Sequence, residues 1–373
     1  SRLELHHSFR LRKDEAPMLW QLALNFLVLN VVAQTADVDQ MTHVAQAFFD
    51  CCETGKGWKG CSQYVTNEDV PFAIEAVDAL PGPPVTDSKS VKDYLDWMAG
   101  VVQEFGPAAS YEVKAKAFDE KTHTALFYGV FMGYSDYVYS ITVCPEEGKV
   151  SGMTKVWNDQ YAFNNIPGST RHLEASSRKL ESASPGVTNL EQARQLSMEF
   201  FDCCESGRGW VGCSQLVAAD APFMIEAVDA LPGPPVTDNR YVKDYLDWMA
   251  GVVQEFGAKA SYKVKAHGFD KTTNTALVYA VFMGYSDYVY SIRLCAQEMK
   301  VCGLTKVWND KYAFNNIPGE SLLVAGTATL SLNASRHQMT PCIAALLIGL
   351  LAVSFAISRR QQGKVRTPES LLG

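Results

Sequence analysis

Histidine is scarce in this chain. Seven occur among 373 residues, and only His43, His123 and His267 fall in the regions that read as folded, never more than two in one region. Zinc catalysis commonly draws three protein ligands from His, Cys, Asp or Glu. A histidine-rich zinc centre is therefore excluded, and neither a metal site nor a cofactor is expected. Positive charge is short as well: 33 Lys and Arg stand against 41 Asp and Glu, for a formal charge of −8 and an isoelectric point near 5.5. Such a chain repels a phosphate backbone, so no nucleic-acid partner is expected. Long polar stretches of the kind that stay disordered are missing too. What is present is apolar material, 47% of residues, enough to bury cores in two domains.

Two hydrophobic segments stand apart. The first, residues 18–33, runs from Met18 and ends in Val31 and Ala33, small residues that suit the −3 and −1 positions of a signal-peptidase site, with Arg10, Arg12 and Lys13 upstream. It reads as a signal peptide within a leader spanning 1–36, the alternative being an N-terminal anchor. The second, Cys342 to Ile357, carries no charge and is followed by Arg359 and Arg360. It reads as a transmembrane helix over 342–358 with a cytoplasmic tail over 359–373, the alternative being a buried or interfacial helix. Together they predict a single-pass type I protein of the secretory pathway. The stalk, 320–341, then carries a glycosylation sequon at Asn333-Ala-Ser335.

Between these ends the sequence repeats itself. Phe48-Phe-Asp-Cys-Cys-Glu-Thr-Gly-Lys-Gly-Trp-Lys-Gly-Cys61 returns as Phe200-Phe-Asp-Cys-Cys-Glu-Ser-Gly-Arg-Gly-Trp-Val-Gly-Cys213, and Asp93 to Gly106 returns unchanged at Asp244 to Gly257. A period of about 151 residues suits a self-sufficient domain, not a solenoid unit. Copy one is assigned to 37–168, a polar linker to 169–187 and copy two to 188–319.

Each copy reads alike. In copy two, Thr188-Asn-Leu-Glu191 has capping-box spacing, Leu190, Ala193, Leu196, Phe200 and Cys204 form an apolar stripe, and Gly207 ends it. In copy one a helical turn follows at Trp58–Tyr64, then an extended piece at Pro71–Val77. A long helix runs from Ser88 to Phe105, capped by Asp87 or Ser88. Alternation and β-branched or aromatic content mark strands at Tyr111–Phe118, Thr124–Met132, Tyr134–Cys144 and Lys149–Trp157. The prediction is an α+β fold of two tandem cones, each a curved antiparallel sheet wrapped around helices.

The run Cys-Glu-x-Gly-Lys-Gly-Trp-x-Gly-Cys, then Tyr-x-Asp-Trp-Met, Ser-Asp-Tyr-Val-Tyr and Met-Thr-Lys-Val-Trp-Asn-Asp resembles SnoaL-like domains of the cystatin-like, nuclear-transport-factor-like superfamily. More narrowly, it resembles the branch that holds the metal-independent iota-class carbonic anhydrases. The resemblance implies reversible hydration of carbon dioxide without a metal. One departure stands out: the Gly- and Pro-rich hairpin of that branch is cut here to Met132-Gly-Tyr-Ser135 and Met283-Gly-Tyr-Ser286.

Strand parity puts Ser135, Tyr137 and Tyr139 on one face and Asp136, Val138 and Ser140 on the other. The expected catalytic hydroxyls are Ser135, Tyr137 and Thr154, with Ser286, Tyr288 and Thr305 in copy two. Substrate contacts are assigned to Tyr94, Trp97 and Asn158, with Tyr245, Trp248 and Asn309. Asp136, Asp159, Glu75 and Asp78 are the candidate bases. Cys51, Cys52 and Cys61, like Cys203, Cys204 and Cys213, are open to a disulfide from one of the adjacent pair, to buried thiols or to metal ligation, and Cys302 is left without a counterpart. The alternatives to hydration are a non-catalytic small-ligand module and a SnoaL-like isomerase or cyclase. Expected partners are a small molecule, the membrane through the terminal helix and a second copy through the sheets.

Overall fold

A computed structural model describes residues 38–76, 78, 83–159, 189–227, 229 and 233–311. The expected signal peptide, linker, stalk, transmembrane helix and tail lie outside these residues. Among the described residues no helix is long and apolar enough to cross a membrane.

Helix α1, residues 38–53, buries Met41, Ala45, Phe48, Phe49 and Cys52 along one stripe. Gly55 then turns the chain at φ +65, where a Cβ would stand 2.6 Å from Val102. Short helix α2, Gly57–Cys61, is tied back to α1 by a Cys51–Cys61 disulfide. Of the options open to the cysteine trio the disulfide is realised, and Cys52 stays a buried thiol.

Strand β1, Phe72–Glu75, precedes helix α3, Val91–Phe105. Ser90 caps α3 and Asp93 closes the capping box, displacing the expected Asp87 or Ser88, because the reciprocal side-chain bonds need that N-cap to N3 spacing. Strands β2 (Tyr111–Asp119), β3 (Thr124–Phe131), β4 (Ser135–Cys144) and β5 (Lys149–Trp157) complete repeat one.

Repeat two follows the same order. It has α4 (Leu190–Glu205), α5 (Gly209–Cys213), β6 (Phe223–Glu226), α6 (Val242–Phe256), β7 (Tyr262–Asp270), β8 (Thr275–Phe282), β9 (Ser286–Cys295) and β10 (Lys300–Trp308). The cap of α4 is Asn189, one residue past the expected Thr188. Cys203 pairs with Cys213, and Cys302, which has no counterpart in repeat one, pairs with Cys295.

Each repeat is an α+β domain with a five-stranded sheet in the order β1-β5-β4-β3-β2 or β6-β10-β9-β8-β7. The sheets are mixed, which corrects the expected all-antiparallel arrangement. Strand β1 joins β5 in parallel, Phe72 opposite Met153, and the long connection between them leaves either direction open. The shortened hairpin is a tight turn with Met132 and Gly133 at φ 54 and 82 and the Tyr134 N–H closing on the Phe131 carbonyl at 3.3 Å, the twist-matched type for a two-residue connection.

Strands β3 and β4 lack surface alternation because nearly every residue in them is buried, as in a sheet covered on both faces. The inner face packs on α1 and α3 around Phe49, Tyr94, Leu95, Tyr139 and Trp157. On the outer face, Ala115, Leu126, Val138 and Val156 meet Ala266, Leu277, Val289 and Val307 of repeat two. The sheets therefore cover each other within one chain.

Four acidic side chains tie the rim reciprocally. Asp119 accepts from the His267 N–H and Asp270 from the Lys116 N–H, both at 3.1 Å. Glu75 accepts from the Asp287 N–H at 2.5 Å and Glu226 from the Asp136 N–H at 2.8 Å.

Candidate functional site

The chemistry-bearing groups of repeat one converge inside its cone. Glu53 follows Phe49 by four residues on the apolar stripe of α1, so the helix carries its carboxylate inward; the residue is 2% exposed. Strand β4 supplies Tyr137 and Tyr139 from one face, β5 supplies Lys155 directly opposite Tyr139 in register, and α3 supplies Tyr94.

The bonds run in one direction. Lys155 Nζ donates to Tyr94 Oη at 3.0 Å, the Tyr94 hydroxyl meets that of Tyr139, Tyr139 donates to Glu53 Oε1 at 2.6 Å, and Tyr137 donates to Glu53 Oε2 at 2.5 Å. Repeat two copies the chain through Lys306, Tyr245, Tyr290, Glu205 and Tyr288.

The Lys155 ammonium sits among four rings, 4.1 Å from the centroid of Trp157, 4.6 Å from Tyr137, 5.0 Å from Tyr139 and 5.6 Å from Tyr94. Ring faces attract a cation most where water is excluded. Burial pulls the Lys155 amine below its ordinary value, against the opposing pull of Glu53, Cys52 and Asp159. Burial, then the Glu53 charge, holds the Tyr137 hydroxyl well above its ordinary value, so it stays a donor. Tyr94 and Tyr139 are raised by burial and then by Cys52 and Glu53. The Cys52 thiol, 4.0 Å from Tyr139 Oη, is raised chiefly by burial and is a poor nucleophile.

Of the expected hydroxyl trio only Tyr137 lies in this chain. Ser135 is fully buried and accepts from Trp157 Nε1 at 2.8 Å. Thr154 and Thr305 lie outside that chain: Thr154 pairs with Ser140 on the outer face, near Tyr279 of repeat two, and Thr305 pairs with Ser291, near Tyr128. Ser286 and Tyr288 repeat the roles of Ser135 and Tyr137.

Tyr94 and Tyr245 stand in the network. Trp97 and Trp248 are half-buried, stack on them at 5.8 Å and donate to Pro83 and Pro234 carbonyls. Asn158 is fully buried, and Asn309 donates to the Trp157 carbonyl across the repeats, a junction contact. The expected bases are engaged elsewhere: Asp136 with Lys114 and Tyr128, Glu75 at the junction, Asp78 with Thr86. Asp159 is buried near enough to act on Lys155. Among the described residues no three His, Cys, Asp or Glu side chains are grouped to hold a metal.

The two cones fill their walls differently. In repeat one Phe127 stacks on Phe49 at 4.7 Å and Gly129 lies under Tyr137, 2.8 Å from where a Cβ would stand. In repeat two the same positions are Val278 and Ala280, and Tyr288 lies along Phe201 instead. Gly129→Ala alone is therefore expected to overpack and cost about 1–3 kcal/mol. Adding Phe127→Val should recover most of that loss in urea unfolding; additive losses would deny the coupling.

No family model matches the chain, and no curated protein is similar to it. Among solved structures it is similar to a protein of unknown function with a cystatin-like fold from Methylobium petroleophilum PM1 (8% identity, 41% of this chain and 86% of that one, TM-score 0.27). It is also similar to a candidate ketosteroid isomerase from Kribbella flavida DSM 17836 (23%, 38% and 93%, TM-score 0.22). A third is an NTF2-like protein from Burkholderia xenovorans LB400 (16%, 34% and 95%, TM-score 0.24).

Proposed function

We propose that each cone is a proton-transfer site for a small carbonyl compound, an isomerase-type activity with Glu53 and Glu205 as the bases. The supporting observation is the directed chain from Lys155 through Tyr94 and Tyr139 to Glu53. A carboxylate shielded from water can take a proton from carbon next to a carbonyl. The electron pair left behind moves onto the carbonyl oxygen, where Tyr137, released from Glu53 as the carboxylate accepts the proton, donates. Lys155 offsets the negative charge through the linked hydroxyls, and Glu53 returns the proton to a second carbon. Donors fixed before reaction stabilise the developing charge without reorganisation.

Carbon dioxide hydration has weaker support, because Ser135 is spent on Trp157 and Thr154 faces the other repeat. The intrachain disulfides Cys51–Cys61 and Cys203–Cys213 support the proposed lumenal placement, since such bonds persist in oxidising compartments.

The test uses the full chain in deuterium oxide with a panel of small enolisable ketones, following deuterium at the α-carbon by NMR, with carbon dioxide hydration measured in parallel. Exchange above the buffer rate is expected. Ketone binding without exchange would favour the non-catalytic module, and hydration without exchange would restore the anhydrase.

A further inference from the structure

A second site lies outside the cones. On the outer face of the first sheet, where repeat two leaves it partly uncovered, there is an open cavity of about 340 Å³, within the size range of small-molecule sites. Its polar wall is made of Thr124, Ser140, Thr142 and Thr154 from repeat one and Lys265 and Tyr279 from repeat two.

The chain carries its own control for this feature. The pseudo-equivalent wall, built on repeat two's sheet, keeps the same residues except that Ala73 becomes Met224, Thr142 becomes Arg293 and Met153 becomes Leu304. Arg293 lies over Gly303, its Nε 3.3 Å from where a Cβ would stand, and donates to the Cys302 carbonyl at 3.3 Å. Thr142 stops short over Gly152, its nearest atom 3.8 Å from the same construction. Arg293 thus covers in repeat two the glycine that Thr142 leaves open in repeat one, and Met224 stands, half exposed, where repeat one has Ala73.

The wall's chemistry selects a ligand class. Lys265, the only charged group lining the cavity among the described residues, is already bonded to Asp287 and, at 3.1 Å, to Tyr279. The cavity therefore offers little uncompensated charge to an oxyanion. Its other polar side chains are hydroxyls: Tyr279 gives its proton to Asp287 and Thr124 gives its own to the Thr122 carbonyl at 3.1 Å, while Ser140 and Thr142 stand beside them with the apolar atoms of Pro71 and Met153. We infer that this cavity binds a neutral polyol of about monosaccharide size, and does so on repeat one only.

This inference is independent of the chemistry in the cones. The experiment titrates the full chain with glucose, myo-inositol and trehalose by ligand-observed NMR and calorimetry, with inorganic phosphate as the charged probe. At least one polyol is expected to bind once per chain. Importing repeat two's residues with Ala73→Met and Thr142→Arg should weaken that binding by about tenfold or more, with unfolding temperature checked to confirm an intact fold. The reciprocal pair, Met224→Ala and Arg293→Thr, should open a second site and raise the stoichiometry to two. Phosphate binding without polyol binding, polyol binding unchanged in the filled variant, or no binding by any probe would each overturn the inference. A Glu53→Gln, Glu205→Gln chain should keep polyol binding, which separates this site from the cones.

Discussion

The double variant Glu53→Gln, Glu205→Gln is expected to lose carbon-acid exchange by about 10²–10⁴-fold, the usual worth of a positioned general base, while remaining folded. Glutamine matches the shape of glutamate and keeps one carbonyl oxygen to accept from Tyr137 or Tyr139. Its amide nitrogen then meets the other tyrosine donor to donor, and one buried hydroxyl loses its acceptor at a cost of about 1–3 kcal/mol per cone. Lys155 and Lys306 also lose the opposing carboxylate charge, so their amines shift further down, in the direction burial already drives them. Exchange rates together with thermal unfolding read the outcome. A folded variant with wild-type exchange would remove Glu53 and Glu205 from the chemistry.

The second large effect is expected in stability against pH, through Glu75 and Glu226. Burial, then the neighbouring charge of Asp287 or Asp136, raises both carboxyls well above their ordinary value of 4.5, while Lys265 or Lys114 and the bonded backbone N–H pull the other way; Ser286 adds to that pull on Glu75. Glu226 Oε2 is buried without a hydrogen-bond partner, so a proton there removes an unpaired buried charge. A folded-state value above the unfolded one means that the fold prefers the protonated form. The contribution is therefore complete below about pH 4.5 and is lost as pH rises from there through the raised folded-state values. Glu75→Gln with Glu226→Gln keeps an acceptor for the Asp287 and Asp136 N–H groups and cannot ionise. It should flatten this fall and leave the protein more stable at neutral pH. Alanine at both positions should instead cost about 1–3 kcal/mol for each orphaned N–H. Urea unfolding between about pH 4 and pH 8 distinguishes the three chains, and an unchanged slope in the glutamine variant would assign the pH dependence to other groups.

The frame of the molecule was legible because burial and period agree. The α1 stripe, the duplicated motifs and the parity of Tyr137 and Tyr139 each followed from spacing. The site was only half legible. Glu53 continues the stripe four residues beyond Phe49, and Lys155 alternates with Met153 and Trp157, so both had inward parity. A carboxylate and an amine in those positions read as solvated groups until a partner for each is known, and the partners come from elements that sequence cannot juxtapose. Thr154 was misplaced for the same reason: its hydroxyl suggested a pocket, whereas its parity matched Val156 on the outer face. The double covering of β3 and β4 erased the alternation that would have separated those faces.

The back-to-back sheets make this chain a dimer tied into a single polypeptide. Joining the partners sets their effective concentration by the connecting chain rather than by expression level. It also frees them from the symmetry of a true homodimer, in which every substitution appears twice across the interface. Met224 and Arg293, at the positions that Ala73 and Thr142 hold in repeat one, are what that freedom permits: the two halves need not build the same wall.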